Sequence, residues 1–141
     1  MIAILFLAGC SGGTGGDSPK DTVVRLFGAM ERNDAPAIEH LVDLPALMDQ
    51  TQEDYALQRD EPRVFHNPAE ILDDLTGDGI TKKRWFSMQR VIGKTEIHGD
   101  SALVEVSFLN KKLGIQYYNK FGLRHVDGRW LIYSFRTMSG N

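Results

Sequence analysis

Apolar positions fall into two rhythms along the chain, helical in the first half and alternating in the second. Val23, Phe27 and Met30, with Val24 and Leu26 beside them, form a stripe at helical spacing opposite Lys20, Arg25 and Glu31. Ser18-Pro19-Lys20-Asp21 marks the start of this helix, because it offers a serine cap, a proline at the first helical position and an acid at the third. Asn33-Asp34 closes the first helix and caps a second, in which Ala37, Ile38, Leu41 and Val42 repeat the pattern. Residues 44–49 add a short turn of helix. A third helix begins at Asn67-Pro68-Ala69-Glu70 and runs through Ile71, Leu72 and Leu75 to the breaker Gly77. Residues 50–65 are polar and weakly periodic, and read as loop or irregular helix.

After Trp85 the pattern turns to strands. Residues 90–97, 101–109, 115–126 and 129–136 are rich in β-branched and aromatic side chains. They are separated by His98-Gly99-Asp100, Asn110-Lys111-Lys112 and Asp127-Gly128, the last being a strong hairpin signal. Helices first and consecutive hairpins afterwards predict an α+β domain with an antiparallel meander.

A two-residue turn at Asp127-Gly128 sets Val126 against Arg129, His125 against Trp130, Leu123 against Ile132 and Phe121 against Ser134. One face then carries Tyr117, Asn119, Phe121, Leu123, His125, Trp130, Ile132 and Ser134, and this face is expected under the helices. Tyr118, Lys120, Gly122, Arg124, Leu131, Tyr133 and Phe135 fall on the other. Gly122 is expected opposite Tyr133, whose ring can lie over it and permit a strong bend, and a bulge there would swap the faces beyond it.

The 141 residues fit one domain, and a 42% hydrophobic, 25% charged composition excludes a disordered chain or a multi-span membrane protein. A formal net charge of -3 gives no global attraction to nucleic acid or anionic lipid. The short basic runs Lys82-Lys83-Arg84 and Lys111-Lys112 read as solvated turns and strand ends, so no nucleic-acid partner is expected.

Cys10 is the only cysteine, which rules out an intramolecular disulfide and a cysteine metal cluster. It follows the uncharged run Met1–Ala8, which is too short to span a bilayer as a helix. Leu7-Ala8-Gly9-Cys10 resembles the bacterial lipobox, although the basic residue usual at the start of such leaders is missing. This resemblance implies residues 1–9 as a signal peptide, cleavage before Cys10, and acylation of the thiol. Residues 10–17 then form the lipidated cysteine and a flexible tether, since Ser-Gly-Gly-Thr-Gly-Gly cannot pack. Residues 18–138 are the folded domain. The expected location is the cell envelope, lipid-anchored to a membrane and facing periplasm or exterior. Ser11 after the cysteine favours an outer membrane if the source has one.

Phe27-Gly28-Ala29-Met30-Glu31-Arg32-Asn33-Asp34, followed by Ala37 to Asp43, resembles the opening helix pair of the nuclear-transport-factor-like, or SnoaL-like, superfamily of cystatin-like α+β cones. Val126-Asp127-Gly128-Arg129-Trp130-Leu131-Ile132-Tyr133-Ser134-Phe135 is similar to its last hairpin and strand. The resemblance covers Ser18 to Asp43 and Arg90 to Arg136, and leaves Leu44 to Phe86 unmatched. It implies helices packed on a strongly curved antiparallel sheet, a pocket at the open end, and frequent homodimers. Lipoproteins of this fold with no assigned activity form one group. Its enzymes, such as ketosteroid isomerase and scytalone dehydratase, place a carboxylate or histidine base and a tyrosine donor inside the cone. Fold alone does not carry such an activity over.

Five residues of the inner face are the candidate pocket: Tyr117, Asn119, His125, Trp130 and Ser134. Few polar groups converging on an apolar wall suit a small ligand. Tyr118, Tyr133 and Phe135 on the other face are the candidate interface, for a homodimer or an envelope protein. No catalytic residue is assigned. Glu105 is the strand acid nearest such a role, but Ala102, Val104, Val106 and Phe108 define the apolar side of its strand and leave it outside. His40, His66, His98 and His125 show no ligand spacing, and Asp73, Asp74 and Asp78 with Gly77 and Gly79 lack the alternating oxygens of a calcium loop, so no metal or cofactor is expected. The reading is a membrane-anchored module that binds a small ligand or protein partner. The alternative is an isomerase or lyase of the ketosteroid-isomerase-like type, acting on a small apolar substrate in the cone.

Overall fold

The computed structural model describes residues 18–54 and 65–138. The leader, Cys10 and the tether lie outside the described residues, as does most of the polar stretch 50–65. Five helices come first: α1 (Pro19–Glu31), α2 (Ala35–Leu41), α3 (Leu44–Asp54), α4 (Pro68–Asp74) and α5 (Ile80–Phe86). The strands β1 (Gln89–His98), β2 (Ser101–Asn110), β3 (Ile115–Val126), β4 (Arg129–Ser134) and β5 (Thr137–Met138) follow. The sheet is an antiparallel meander in the order β1-β2-β3-β4, with β5 also paired to β3.

The caps predicted by sequence form by side-chain hydrogen bonds. Ser18 Oγ accepts from Asp21 N at 3.0 Å, Asp34 Oδ1 from Ala37 N at 3.1 Å and Asn67 Oδ1 from Glu70 N at 3.1 Å. Asn33 ends α1 at φ 55, and its Oδ1 accepts from Gly77 N at 2.7 Å and Lys82 Nζ at 2.8 Å. That side chain therefore ties the α1–α2 corner to the α4–α5 turn.

Two helical features differ from expectation. Val24 lies outside the buried stripe, 49% exposed, because Val23, Leu26, Phe27 and Met30 already close the helical face turned to the sheet. Helix α5 was not expected at all. It starts after Gly79, where a Cβ would fall 2.2 Å from the Asp74 carbonyl oxygen, so only glycine permits the approach. Buried Asp74 accepts from the Thr81 amide at 3.3 Å and from the Thr81 hydroxyl, which anchors the first turn of α5.

Ala102, Val104, Val106 and Phe108 of β2 point inward with Asn119, Phe121 and Leu123 of β3 and Trp130 and Ile132 of β4. Across from them lie Val23, Leu26, Phe27 and Met30 of α1, Ile38 of α2, Leu47 of α3, Ile71 of α4 and Trp85 of α5. Phe27 is the hub of an aromatic cluster. Its ring meets Trp85, Phe86 and Phe108 edge-on at 5.9, 6.5 and 6.2 Å. Trp85 in turn stacks on Phe108 at 5.1 Å and meets Phe135 edge-on at 5.2 Å.

The first three pairs predicted for the β3–β4 hairpin are present, and the fourth is not. Leu123 faces Ile132, but the next pair is Gly122 with Ser134, so Tyr133 is an extra residue in β4. The Tyr133 ring lies over Gly122, where a Cβ would sit 2.8 Å from Tyr133 Cζ. Phe135, expected on the outer face, is therefore turned inward and is 0% exposed. The strand breaks after Ser134 and resumes as β5, bridged by Lys120 N donating to Arg136 O at 2.9 Å. A second bulge sets Gly93 and Lys94 of β1 against Glu105, between the pairs Ile92–Val106 and Thr95–Val104. The two bulges increase local twist and curve the sheet around the helices.

Phe135→Ala is expected to lower the unfolding free energy by about 3–5 kcal/mol, against within about 0.5 kcal/mol for a residue on the outer face, as read from urea denaturation. Gly79→Ala is expected to cost about 3 kcal/mol from the forced backbone shift. Gly77→Ala, at φ 53 but in open space, is expected to cost about 1–2 kcal/mol in the same assay.

Candidate functional site

The inner face of β3 presents Tyr117, Asn119, Phe121 and Leu123 at every second residue, which is the pleat of a strand. Tyr117 is half-buried against the core and pairs with Phe108. Asn119 is 1% exposed and pairs with Val106. Its Nδ2 donates to the Phe135 carbonyl at 3.1 Å, which holds the backbone where the β4 strand breaks.

The five pocket candidates do not converge. His125 and Trp130 form a cross-strand pair with ring centroids 4.8 Å apart, next to the β3–β4 turn. Asn119 lies six residues away along β3, about 20 Å at the rise of an extended strand. Sharing a face is weaker than sharing a site, because an inward side chain moves about 6.6 Å along the strand at each repeat. Ser134, paired with Gly122, accepts from Arg136 N at 3.2 Å, so its hydroxyl serves the strand break. Tyr117 and Asn119 are thus separated from His125 and Trp130, and the arrangement divides into two ends.

At the Asn119 end a second polar atom comes in from the helices. Trp85 Nε1 is buried and has no hydrogen-bond partner among the described residues, and the same holds for Asn119 Oδ1. The two residues share a neighbourhood: Phe135 touches the Trp85 ring and accepts from Asn119, while Phe108 stacks on Trp85 beside the Asn119 position. One atom is a donor and the other an acceptor. Leaving either unpaired costs about 1–3 kcal/mol, so the pair is a pronounced exception to how interiors are built. Trp85 was not singled out by sequence reasoning. The available signal was Thr81 and Trp85 four residues apart, both buried on one side of α5.

Arg90 closes the same end. Its guanidinium lies over Phe86 at 3.9 Å and donates to the carbonyls of Trp85 and Met88, each at 3.1 Å. Burial lowers its pKa from the ordinary arginine value, and the Glu31 carboxylate works the other way. The bonds from Arg90 cover carbonyls at the end of α5 and fix the Trp85 backbone.

On the outer face, Tyr118 is 47% exposed. Tyr133 is half-buried, held over Gly122 and under the Arg124 guanidinium at 4.5 Å. With Phe135 in the core, the expected aromatic interface is reduced to these two tyrosines. Among the described residues no three His, Cys, Asp or Glu side chains come together as metal ligands.

No protein-family model and no curated protein sequence matches the chain. Solved structures similar to it include the following two. One is an NTF-2-like protein of unknown function from Silicibacter pomeroyi DSS-3, with TM-score 0.50 and 16% identity, covering 84% of this chain and 92% of that one. The other is the type VI native effector-immunity complex Tae3-Tai3 from Ralstonia pickettii, with TM-score 0.49 and 17% identity, covering 89% of this chain and 98% of that one. Helices packed against a curved four-stranded antiparallel meander, together with the first of these likenesses, give the chain the NTF-2-like α+β cone fold.

Proposed function

We propose that the protein is a binding module held at a bacterial envelope membrane by lipid on Cys10, whose cone takes a small molecule against Trp85 and Asn119. The observation that carries the binding reading is the buried pair Trp85 Nε1 and Asn119 Oδ1, which has no hydrogen-bond partner among the described residues. A ligand matched to this pair is mainly apolar, to suit Phe108, Phe121 and Phe135, and has one acceptor for the indole and one donor for the amide. Its binding removes two desolvation penalties at once, so affinity gains more from the two polar atoms than from an equal number on the surface.

The isomerase or lyase reading receives less support. Proton transfer at carbon needs a base within hydrogen-bond reach of the substrate. Among the described residues the buried carboxylate is Asp74, and both of its oxygens accept from Thr81. His125 lies at the other end of the face, stacked against Trp130.

Native mass spectrometry of the full chain purified from cells is expected to show a retained small molecule. Trp85→Phe, which removes the donor and keeps one aromatic ring in the cluster, is expected to weaken retention about tenfold, equivalent to about 1.4 kcal/mol, in variant protein that a urea melt shows to be folded. A wild-type protein with no adduct, or equal retention by the variant, overturns the binding reading. The anchor is tested separately: cells fed labelled palmitate are expected to label the wild-type chain and leave Cys10→Ala unlabelled, and label on neither chain overturns it.

A further inference from the structure

The β2–β3 turn is built unlike the other turns of the sheet. Asn110 O accepts from Gly114 N at 2.8 Å and Asn110 Oδ1 from Leu113 N at 3.1 Å, while Gly114 takes φ 67 to close the loop. Two hydrogen bonds to one residue hold the tip in a fixed shape. That tip projects Lys111 and Lys112, then Leu113 at 67% exposure, and then Ile115 at 41%. Leu113 is the most exposed of the large hydrophobic side chains among the described residues.

Beneath the tip lies an open cleft of about 450 Å³ between the start of β1 and the end of β2, lined by Ser87, Gln89, Leu109, Asn110, Lys111 and Lys112. None of these side chains is acidic. Asn110 Oδ1 is turned to the loop, where it accepts from Leu113 N at 3.1 Å, and Ser87 donates its hydroxyl hydrogen to Arg84 O at 2.8 Å. Neither lysine forms an ion pair among the described residues. Lys83 and Arg84 add positive charge in the last turn of neighbouring α5, where Arg90 covers the helix-end carbonyls. The result is a surface of donors and cations with an apolar point at its crest.

A solvated turn accounts for the lysines and leaves Leu113 and Ile115 in water without recompense. Basic residues beside exposed apolar ones are the chemistry of an anionic bilayer surface, where lysines meet headgroup phosphates and leucine enters the acyl boundary. We infer that the β2–β3 tip and its cleft form a docking point for an anionic phospholipid surface, with a headgroup phosphate seated by Lys111, Lys112 and Asn110. This inference does not rest on the lipid anchor or on the cone ligand. The overall charge of -3 keeps the rest of the molecule off the membrane, so docking is oriented.

Co-sedimentation tests it, using the full chain carrying Cys10→Ser so that no acyl group contributes. Vesicles rich in phosphatidylglycerol are expected to bind this chain at low salt, and phosphatidylcholine vesicles to bind it far less. Lys111→Gln with Lys112→Gln is expected to weaken partitioning about 25-fold, from about fivefold per lysine. Leu113→Ser is expected to weaken it several-fold and at high salt as well, which charge alone does not explain. Circular dichroism melts check that the exposed substitutions leave the fold intact. Equal sedimentation with both vesicle types, or no loss in the variants, overturns the inference. Binding of inorganic phosphate without vesicle binding, or conversion of a dimer to a monomer by the tip variants, also overturns it by assigning the surface to another occupant.

Discussion

The fold depends on how Trp85 is wedged between helices and sheet. Its indole stacks on Phe108, meets Phe135 edge-on and takes the edge of Phe27, so one side chain joins α5, α1, β2 and the break after β4. A flat sheet does not supply partners on so many sides. Curvature does, and the two one-residue insertions, near Gly93 and at Tyr133, are where the sheet acquires it. The glycine opposite Tyr133 and the glycine before α5 give the backbone room for these approaches. Burial of about five aromatic rings in one cluster supplies much of the driving force for a domain of this size, since each ring removes about 150–250 Å² from water.

Much of this was legible in the amino-acid order, and each failure has its own local cause. Helices α1, α2 and α4 announce themselves by Ser18, Asp34 and Asn67, because a cap is a local hydrogen bond encoded within four residues. The inward set of β2 is likewise written in its alternation. Phe135 was misplaced because a bulge inserts one residue without altering the composition of the strand, and everything after it changes sides. Helix α5 was missed because its N-cap is Gly79, which has no side chain to cap with, and its first turn is held instead by Asp74 from the preceding helix.

The candidate site was legible in the same partial way. Asn119 stood out as an amide on an apolar face, and its burial is what that position implies. Its companion came from the helix that sequence did not disclose. His125 and Trp130 share the face with Asn119, but periodicity specifies a side of the sheet and not a place along it. The distribution of polar groups inside the cone is set by tertiary closeness, which a single strand cannot encode.

The margins of the sheet have a consequence for how copies of this chain meet. Along β4, Val42 bridges Ile132 and Asp43 N donates to Ile132 O at 2.8 Å, so the free backbone there is already engaged by the α2–α3 junction. Along β1, the insertion at Gly93 and Lys94 kinks the ladder, and Lys94 and Glu96 form an ion pair at 3.7 Å on that border. Both flanks are thus poor templates for another chain to extend. Crowded neighbours of this kind resist zipping into continuous ribbons, and can stand side by side as separate molecules at densities where an open strand would seed a fibre.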